Sequence, residues 1–310
     1  MSVLSWNCQG AGSIETVQRL RRIRRQYFPD FLFLMETKQK ESYVRGFQTM
    51  LGYDECVTVE PVGRSGGLAV MWKSCYEVEA LSKDYMIIDL KVNLGSLSFF
   101  LTCVYGDPMR GRRRAVWEKL ISVGVNRDEA WMLIGDFNEL MNNSEKLGGA
   151  IREESTFWDF RNMAEACKIK EHISVGNSLS WRDKVWVQCR LDRSFGNDEW
   201  FHIFLRSKAV YMGMRTVEHR LLRLSFAYEP EEQNRGRFFF DKRMVGKRGV
   251  KEAVASCWEW DGSDTEPNLM DCIAKCRSEL AKLKRTENLN SKNRIDTLKA
   301  IPEIGSDEKT

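Results

Sequence analysis

A chain of 310 residues, 43% of them hydrophobic, has material for a sizeable core in one large domain or two smaller ones. Its formal net charge is only +4, but basic residues gather at 19–25, 110–114 and 235–251, which suits a polyanionic partner. The chain has no apolar run of roughly eighteen residues, no basic stretch leading into an apolar one at its start, and no Cys-x-x-Cys among nine scattered cysteines. A membrane span, a secretory signal and a zinc site are therefore not expected, and reduced thiols in a nuclear or cytoplasmic protein are.

Val3-Leu4-Ser5-Trp6-Asn7 reads as a first strand that ends at Gly10-Ala11-Gly12. Residues 15–27 have helical spacing, with Val17, Leu20 and Ile23 as the inner stripe and five arginines on a wet face. Phe31-Leu32-Phe33-Leu34-Met35 is an unbroken apolar run, as expected of a strand covered on both faces, and it delivers Glu36 to its end. Further strands are read at 68–72, 85–92 and 97–105, and the tight turns between them suggest antiparallel pairing. A helix is expected over 113–123, with Val116, Trp117 and Leu120 inward. The next apolar run, Trp131-Met132-Leu133, opens into Ile134-Gly135-Asp136-Phe137-Asn138-Glu139.

A second helix is expected over 156–167, with Phe157, Phe160, Met163 and Ala164 on one face. Residues 178–181 and 185–191 read as a hairpin, 200–205 as a short helix, and 208–212 and 221–226 as strands. Sequential strands with few helices between them favour two packed sheets with helices outside. Composition breaks at Glu229-Pro230-Glu231-Glu232-Gln233-Asn234. The expected domains are a catalytic unit over 1–230, a basic helical extension over 231–300, and a disordered end over 301–310. Helices are read at 250–260, 269–284 and 287–300.

Asn7, Glu36, Tyr105, Asp136, Asn138, Asp192 and His219 all stand at expected strand ends, and strand ends on one edge converge on a cleft. Asp136 and Asn138 are two apart, so a continuing strand would turn both the same way. A Glu and an Asp suit a hard divalent cation, most plausibly Mg²⁺. A His held by an Asp suits donation to a developing oxyanion, and a Tyr hydroxyl suits a phosphate oxygen. The set points to metal-assisted hydrolysis of a phosphate ester. His172 and His202 have no such context and are assigned to packing or surface.

Several short motifs carry a family resemblance. They are Trp6-Asn7-Cys8-Gln9-Gly10, Met35-Glu36-Thr37-Lys38, Gly66-Gly67-Leu68-Ala69, Tyr105-Gly106-Asp107-Pro108, Gly135-Asp136-Phe137-Asn138, Arg190-Leu191-Asp192-Arg193 and Glu218-His219. Their order resembles that of the endonuclease/exonuclease/phosphatase superfamily, which includes DNase I and exonuclease III-type apurinic/apyrimidinic endonucleases. The nearest likeness is to the N-terminal endonuclease of plant LINE-type (non-LTR) retrotransposons, over residues 1 to about 230. The tail, with Phe240-Asp241-Lys242-Arg243, also resembles the segment those elements carry before their reverse transcriptase.

The resemblance implies a DNase I-like α/β fold, a four-layer α/β/β/α sandwich, acting on DNA with Mg²⁺ or Mn²⁺. It implies Glu36, Asn7 and Glu218 as metal residues. Asp136, with Asn138 beside it, would orient or deprotonate a water, Tyr105 would contact the phosphate, and Asp192 would orient His219. Ser180-Trp181 matches a Ser/Thr-Trp pair of the family, although Trp181 is read as a core tryptophan. Phosphoinositide phosphatases of this fold carry Tyr-Arg where Glu139-Leu140 stand here, which argues against that branch. The family usually reads Ser-Asp-His where this chain has Val217-Glu218-His219. A weakened nuclease is expected from that departure, and shortening Glu218 to Asp together with Val217→Ser is expected to raise its rate. A catalytically dead nucleic-acid-binding remnant is the alternative, supported by the altered 217–219 segment beside an intact basic tail.

Overall fold

The computed structural model describes residues 1–63, 65–183, 187–213, 218–227, 244, 246, 249–258 and 269–286. The chain divides into two compact units, Met1–Glu229 and Pro230–Thr310.

The first unit is built on two sheets. In one, the strands lie in the order Ser174–Val175, Lys208–Tyr211, Leu222–Ser225, Ser2–Asn7, Phe31–Met35, Leu68–Trp72 and Glu55–Val59. In the other the order is Lys170–Glu171, Asp192–Gly196, Trp131–Asp136, Leu97–Tyr105, Ile87–Leu94 and Glu77–Lys83. The sequential strands joined by tight turns pair antiparallel, as expected. Among the described strands three pairs are parallel: Ser174–Val175 with Lys208–Tyr211, Ser2–Asn7 with Phe31–Met35, and Leu97–Tyr105 with Trp131–Asp136. The last two are each linked through a helix, the usual route of a parallel connection.

Side-chain alternation makes the layers. Phe31, Phe33 and Met35 share one core with Leu90, Phe99, Leu101 and Ile134 of the second sheet. Leu32 and Leu34 point the other way, onto Leu20 and Ile23 of helix Ile14–Tyr27 and Val44, Phe47 and Leu51 of helix Glu41–Leu51. The far side of the second sheet is covered by Trp117 and Leu120 of helix Arg113–Gly124 and by Phe160 and Met163 of helix Trp158–Ala166. The result is the four-layer sandwich, and it explains why all five residues of Phe31–Met35 are buried.

Some local expectations change. The wet face of the first helix keeps Arg21, Arg22 and Arg25 exposed. Arg19 instead stacks over the Trp6 ring, 5.0 Å from its centroid, and Arg24 Nε donates to the Leu51 carbonyl at 3.1 Å. The hairpin near 180–190 contracts to Trp181–Arg182 paired with Gln188–Cys189, which continues to Lys146–Leu147. Trp181 is only half-buried on that small sheet, so it is not the core tryptophan expected of it; the fully buried residue of the pair is Ser180. Just beyond the expected hairpin, Asp192–Gly196 forms a buried strand of the second sheet, which the sequence reading did not include. In the second unit, helix Val250–Ala255 carries Val250 and Val254, which pack with Met244, Leu280 and Leu283. The expected break at 229–234, the 287–300 helix, Val217 and most of the 235–251 basic run lie outside the described residues.

Candidate active site

The two sheets set most of the site by register alone. In the second sheet Asp136 lies between Tyr105 on its parallel neighbour and Asp192 on its antiparallel neighbour. In the first sheet Asn7 pairs with Met35, which places Glu36 one residue beyond. These ends share one edge and are bonded across the gap between the sheets. Asn7 Nδ2 donates to Glu36 Oε1 at 2.9 Å and to Asp136 Oδ2 at 3.0 Å. The Tyr105 hydroxyl donates to Glu36 Oε1 at 3.0 Å. Lys38 Nζ lies 2.9 Å from Glu36 Oε2.

His219 enters from a neighbouring segment, tied by an isolated bridge to Trp181. Its Nδ1 is 3.0 Å from Asp192 Oδ2 and 3.8 Å from Asp136 Oδ2. Asp192 is itself fixed from behind. Ser180 Oγ accepts from the backbone N–H groups of Leu191 and Asp192 at 3.0 and 2.9 Å, and the Tyr211 hydroxyl donates to the Asp192 carbonyl at 2.8 Å. The segment carrying Asp192 is anchored by Arg193, fully buried between Glu145 and Glu171.

Electrostatics follow from this packing. Burial raises the Asp136 carboxyl to about 6, with Asp192 adding to the rise, against the opposing pull of His219 and the Asn7 bond. Burial also disfavours a charged His219, but Asp192 and Asp136 outweigh it and lift its pKa to about 9. Glu36 is held below the usual carboxylate range: burial pushes up, and bonds from Asn7, Lys38 and Tyr105 more than compensate. Burial and the adjacent carboxylates drive the Tyr105 phenol well above its ordinary value, so it remains a donor.

The structure brings Asn7, Glu36, Tyr105, Asp136, Asp192 and His219 into one bonded network. Asn138 is placed differently from expectation. The strand ends at Asp136, so two-residue alternation does not carry over. Asn138 turns left-handed (φ 54°), its N–H donates to Asp136 Oδ1 at 2.9 Å, and its side-chain amide bonds the Gly106 carbonyl at 2.8 Å. It braces Asp136 and fastens the Tyr105 turn. Glu218 receives Gln9 Nε2 at 2.7 Å. His172 is buried against Trp200 and Phe201, and His202 is exposed.

Asp136, Asp192 and His219 each offer a ligand atom within 4.8 Å of the others. With Glu36 beside them this is an oxygen-rich set, and Asp192 Oδ1 is buried without a hydrogen-bond partner among the described residues. The chemistry fits a hard divalent cation. Gln9, Lys38 and Ser180 sit within the family motifs, but their supporting roles are evident only from the tertiary contacts. Gln9, Glu36, Lys38 and Asn138 all adopt positive φ, between 49° and 54°, a strain concentrated at this edge.

Residues 4–216 match the model of the Endonuclease/Exonuclease/phosphatase family. No curated protein sequence matches the chain. Among solved structures, it resembles the 3'-5' exonuclease NExo of Neisseria meningitidis, with a TM-score of 0.58 at 15% identity over 74% of this chain and 100% of that one. The AP endonuclease LMAP of Leishmania major gives 0.56 at 14% identity, over 72% and 86%. The endonuclease domain of TRAS1, a telomere-specific non-LTR retrotransposon, gives 0.52 at 13% identity, over 72% and 96%. At such identities the likeness speaks for the fold, while the family match spans more than half of the residues and covers most of the site. The chain belongs to the endonuclease/exonuclease/phosphatase family.

Proposed function

We propose that this chain is a Mg²⁺-dependent nuclease that nicks DNA, of the kind carried by LINE-type retrotransposons. The observation that supports this best is the cross-sheet network, in which Asn7 joins Glu36 to Asp136 beside the Asp192–His219 pair. Glu36, held in place by the Asn7 amide, would hold the cation, and Mn²⁺ would substitute for it. A divalent cation bound there supplies positive charge against phosphate and leaving-group oxygens.

The chain's own groups do the rest. Asp136, raised to about 6, is mostly ionised at neutral pH yet basic enough to take a proton from water. The N–H of Asn138 fixes one of its oxygens, which leaves the carboxylate aimed. Water oxygen bonds to phosphorus, its proton passes to Asp136, and the ester P–O bond opposite breaks. His219, kept protonated by Asp192, donates a hydrogen bond to the developing negative charge. Tyr105, which stays a neutral phenol, would donate a hydrogen bond to the phosphate.

A plasmid-nicking assay tests the reading. Nicking is expected with Mg²⁺ or Mn²⁺, none in excess chelator, and none for Glu36→Gln with an unchanged circular dichroism spectrum. DNA binding without nicking by the native chain would point instead to a binding remnant. Release of inorganic phosphate from small esters, without nicking, would point to a phosphatase.

A further inference from the structure

The sequence leaves Glu218 as an unexplained departure, and Gln9 as an unassigned residue in the first motif. The structure puts them together. Gln9 Nε2 donates to Glu218 Oε2 at 2.7 Å, across 209 residues of chain. Gln9 is unusual in a second way: it sits in the left-handed region at φ 49°, immediately past the end of the Ser2–Asn7 strand. In that conformation its backbone N–H reaches the Asn7 Oδ1 at 3.2 Å. Because Asn7 spends its oxygen on Gln9, its Nδ2 is the atom left to face Glu36 and Asp136. The Lys38 ammonium also lies 3.5 Å from the Gln9 carbonyl.

The other end of the pair is equally committed. The Glu218 carbonyl accepts from the Arg182 N–H at 3.0 Å, and His219 follows at once, bridged to Trp181 and bonded to Asp192. Glu218-His219 is thus held on one side by the small sheet and on the other by Gln9.

We propose that Gln9 is a positioning residue, matched to Glu218, which fastens the His219 segment to the first strand and orients Asn7 from the same point. Glutamate is the length this contact needs. An aspartate at 218 is shorter by about 1.5 Å, which would open a 2.7 Å contact to roughly 4 Å, beyond a hydrogen bond. Glu218 is therefore a fitted partner of Gln9, and the expectation that Asp at 218 would improve the site is reversed. A displacement of that size at a reacting group costs on the order of 100-fold in rate.

The inference rests on the nuclease reading for its kinetic arm only. Gln9→Ala and Glu218→Asp should each lower kcat for nicking by at least about tenfold with KM nearly unchanged. The two together should be no worse than either alone, since both remove one contact. The exchange Gln9→Glu with Glu218→Gln keeps the charge and a donor–acceptor pair, and should recover most of the loss that Gln9→Glu alone incurs by setting two carboxylates face to face.

A second readout needs neither metal nor DNA. In the metal-free protein the NMR signals of the His219 ring should move in Gln9→Glu and return towards their native positions in the exchanged pair. Glu218→Asp as fast as native, multiplicative losses in the double variant, or His219 signals indifferent to residue 9 would each overturn the pairing. If the native chain nicks nothing, the nuclease reading fails, and the His219 signals still decide the Gln9–Glu218 contact.

Discussion

Two carboxylates face a single imidazole at this site, and their surroundings give them different tasks. Asp192 is paired directly with His219, while Asp136 sits farther off and is pushed up to about 6 by burial. That division of labour needs Asp192 to be immobile, and Ser180 provides this through two backbone N–H groups. Ser180→Ala would leave both donors buried without an acceptor, at about 1–3 kcal/mol. The expected result is a lower urea midpoint and a fall in kcat for nicking larger than any change in KM. Native kcat in the variant would show that Ser180 serves the fold alone. His172 offers a contrast. Its ring nitrogens have no partner among the described residues, and burial holds its pKa down to about 4. Below its ordinary value of 6.5 the unfolded chain binds the proton and the folded chain does not. Its contribution to stability is thus full above pH 6.5 and lost as pH falls towards 4, by up to about 1.4 kcal/mol per pH unit within that window. His172→Phe should flatten that part of the profile of unfolding free energy, and an unchanged slope would mean that His172 titrates normally.

At the scale of elements, a close approach of backbones sets the catalytic edge. Gly135 has φ 154°, and a Cβ there would lie 1.8 Å from the Val104 carbonyl oxygen of the adjacent parallel strand. Its absence lets the two strands meet in the register that sets Tyr105 beside Asp136. Gly135→Ala should cost roughly 1–3 kcal/mol from overpacking, with a further 1–3 kcal/mol from backbone strain, read as a lower urea midpoint. Native stability in the Ala variant would mean that this register has slack. Elements such as Phe31–Met35 and Trp131–Asp136 were legible in the sequence because their buried faces are apolar. The strand Asp192–Gly196 was not, because Asp192, Arg193 and Ser194 are polar and still buried. Arg193 is neutralised by Glu145 and Glu171, partners that lie far from it in sequence. Helix Glu41–Leu51 has the right spacing in Val44, Phe47 and Leu51, but Gly46 interrupts it with a poor helix former. The same holds in the site itself. The residue types and their order were readable, whereas the left-handed turns at Glu36 and Asn138, which aim them, arise from tertiary packing.

At the scale of the whole chain, the near balance of 48 basic and 44 acidic residues hides an uneven distribution. Within the first unit, part of the basic charge is spent on structure. Arg113 and Arg152 both pair with the buried Glu139, and Arg113 also donates to the carbonyls of Asp107 and Pro108, which ties the turn after Tyr105 to the turn after Asp136. Those arginines are not free for phosphates. The second unit carries Arg235, Arg237, Lys242, Arg243, Lys247, Arg248 and Lys251 in a short stretch, with Phe238-Phe239-Phe240 among them. We therefore assign that stretch to phosphate contact without sequence reading. A chain ended at Pro230 retains both sheets and every residue of the candidate site, so it should fold and keep its metal requirement. It should lose affinity for DNA in a salt-dependent way. Each phosphate contact adds about 0.9 to the slope of log affinity against log salt, so losing about four contacts would lower the slope by roughly 3.6. Between 50 and 200 mM salt the full chain should then lose about a hundredfold more affinity than the shortened one. Fluorescence anisotropy with a labelled duplex at several salt concentrations measures both slopes. Equal slopes would make the basic stretch a solvated surface, and would move the search for the DNA-binding face back to the exposed Arg110, Arg112 and Arg114 that follow Tyr105.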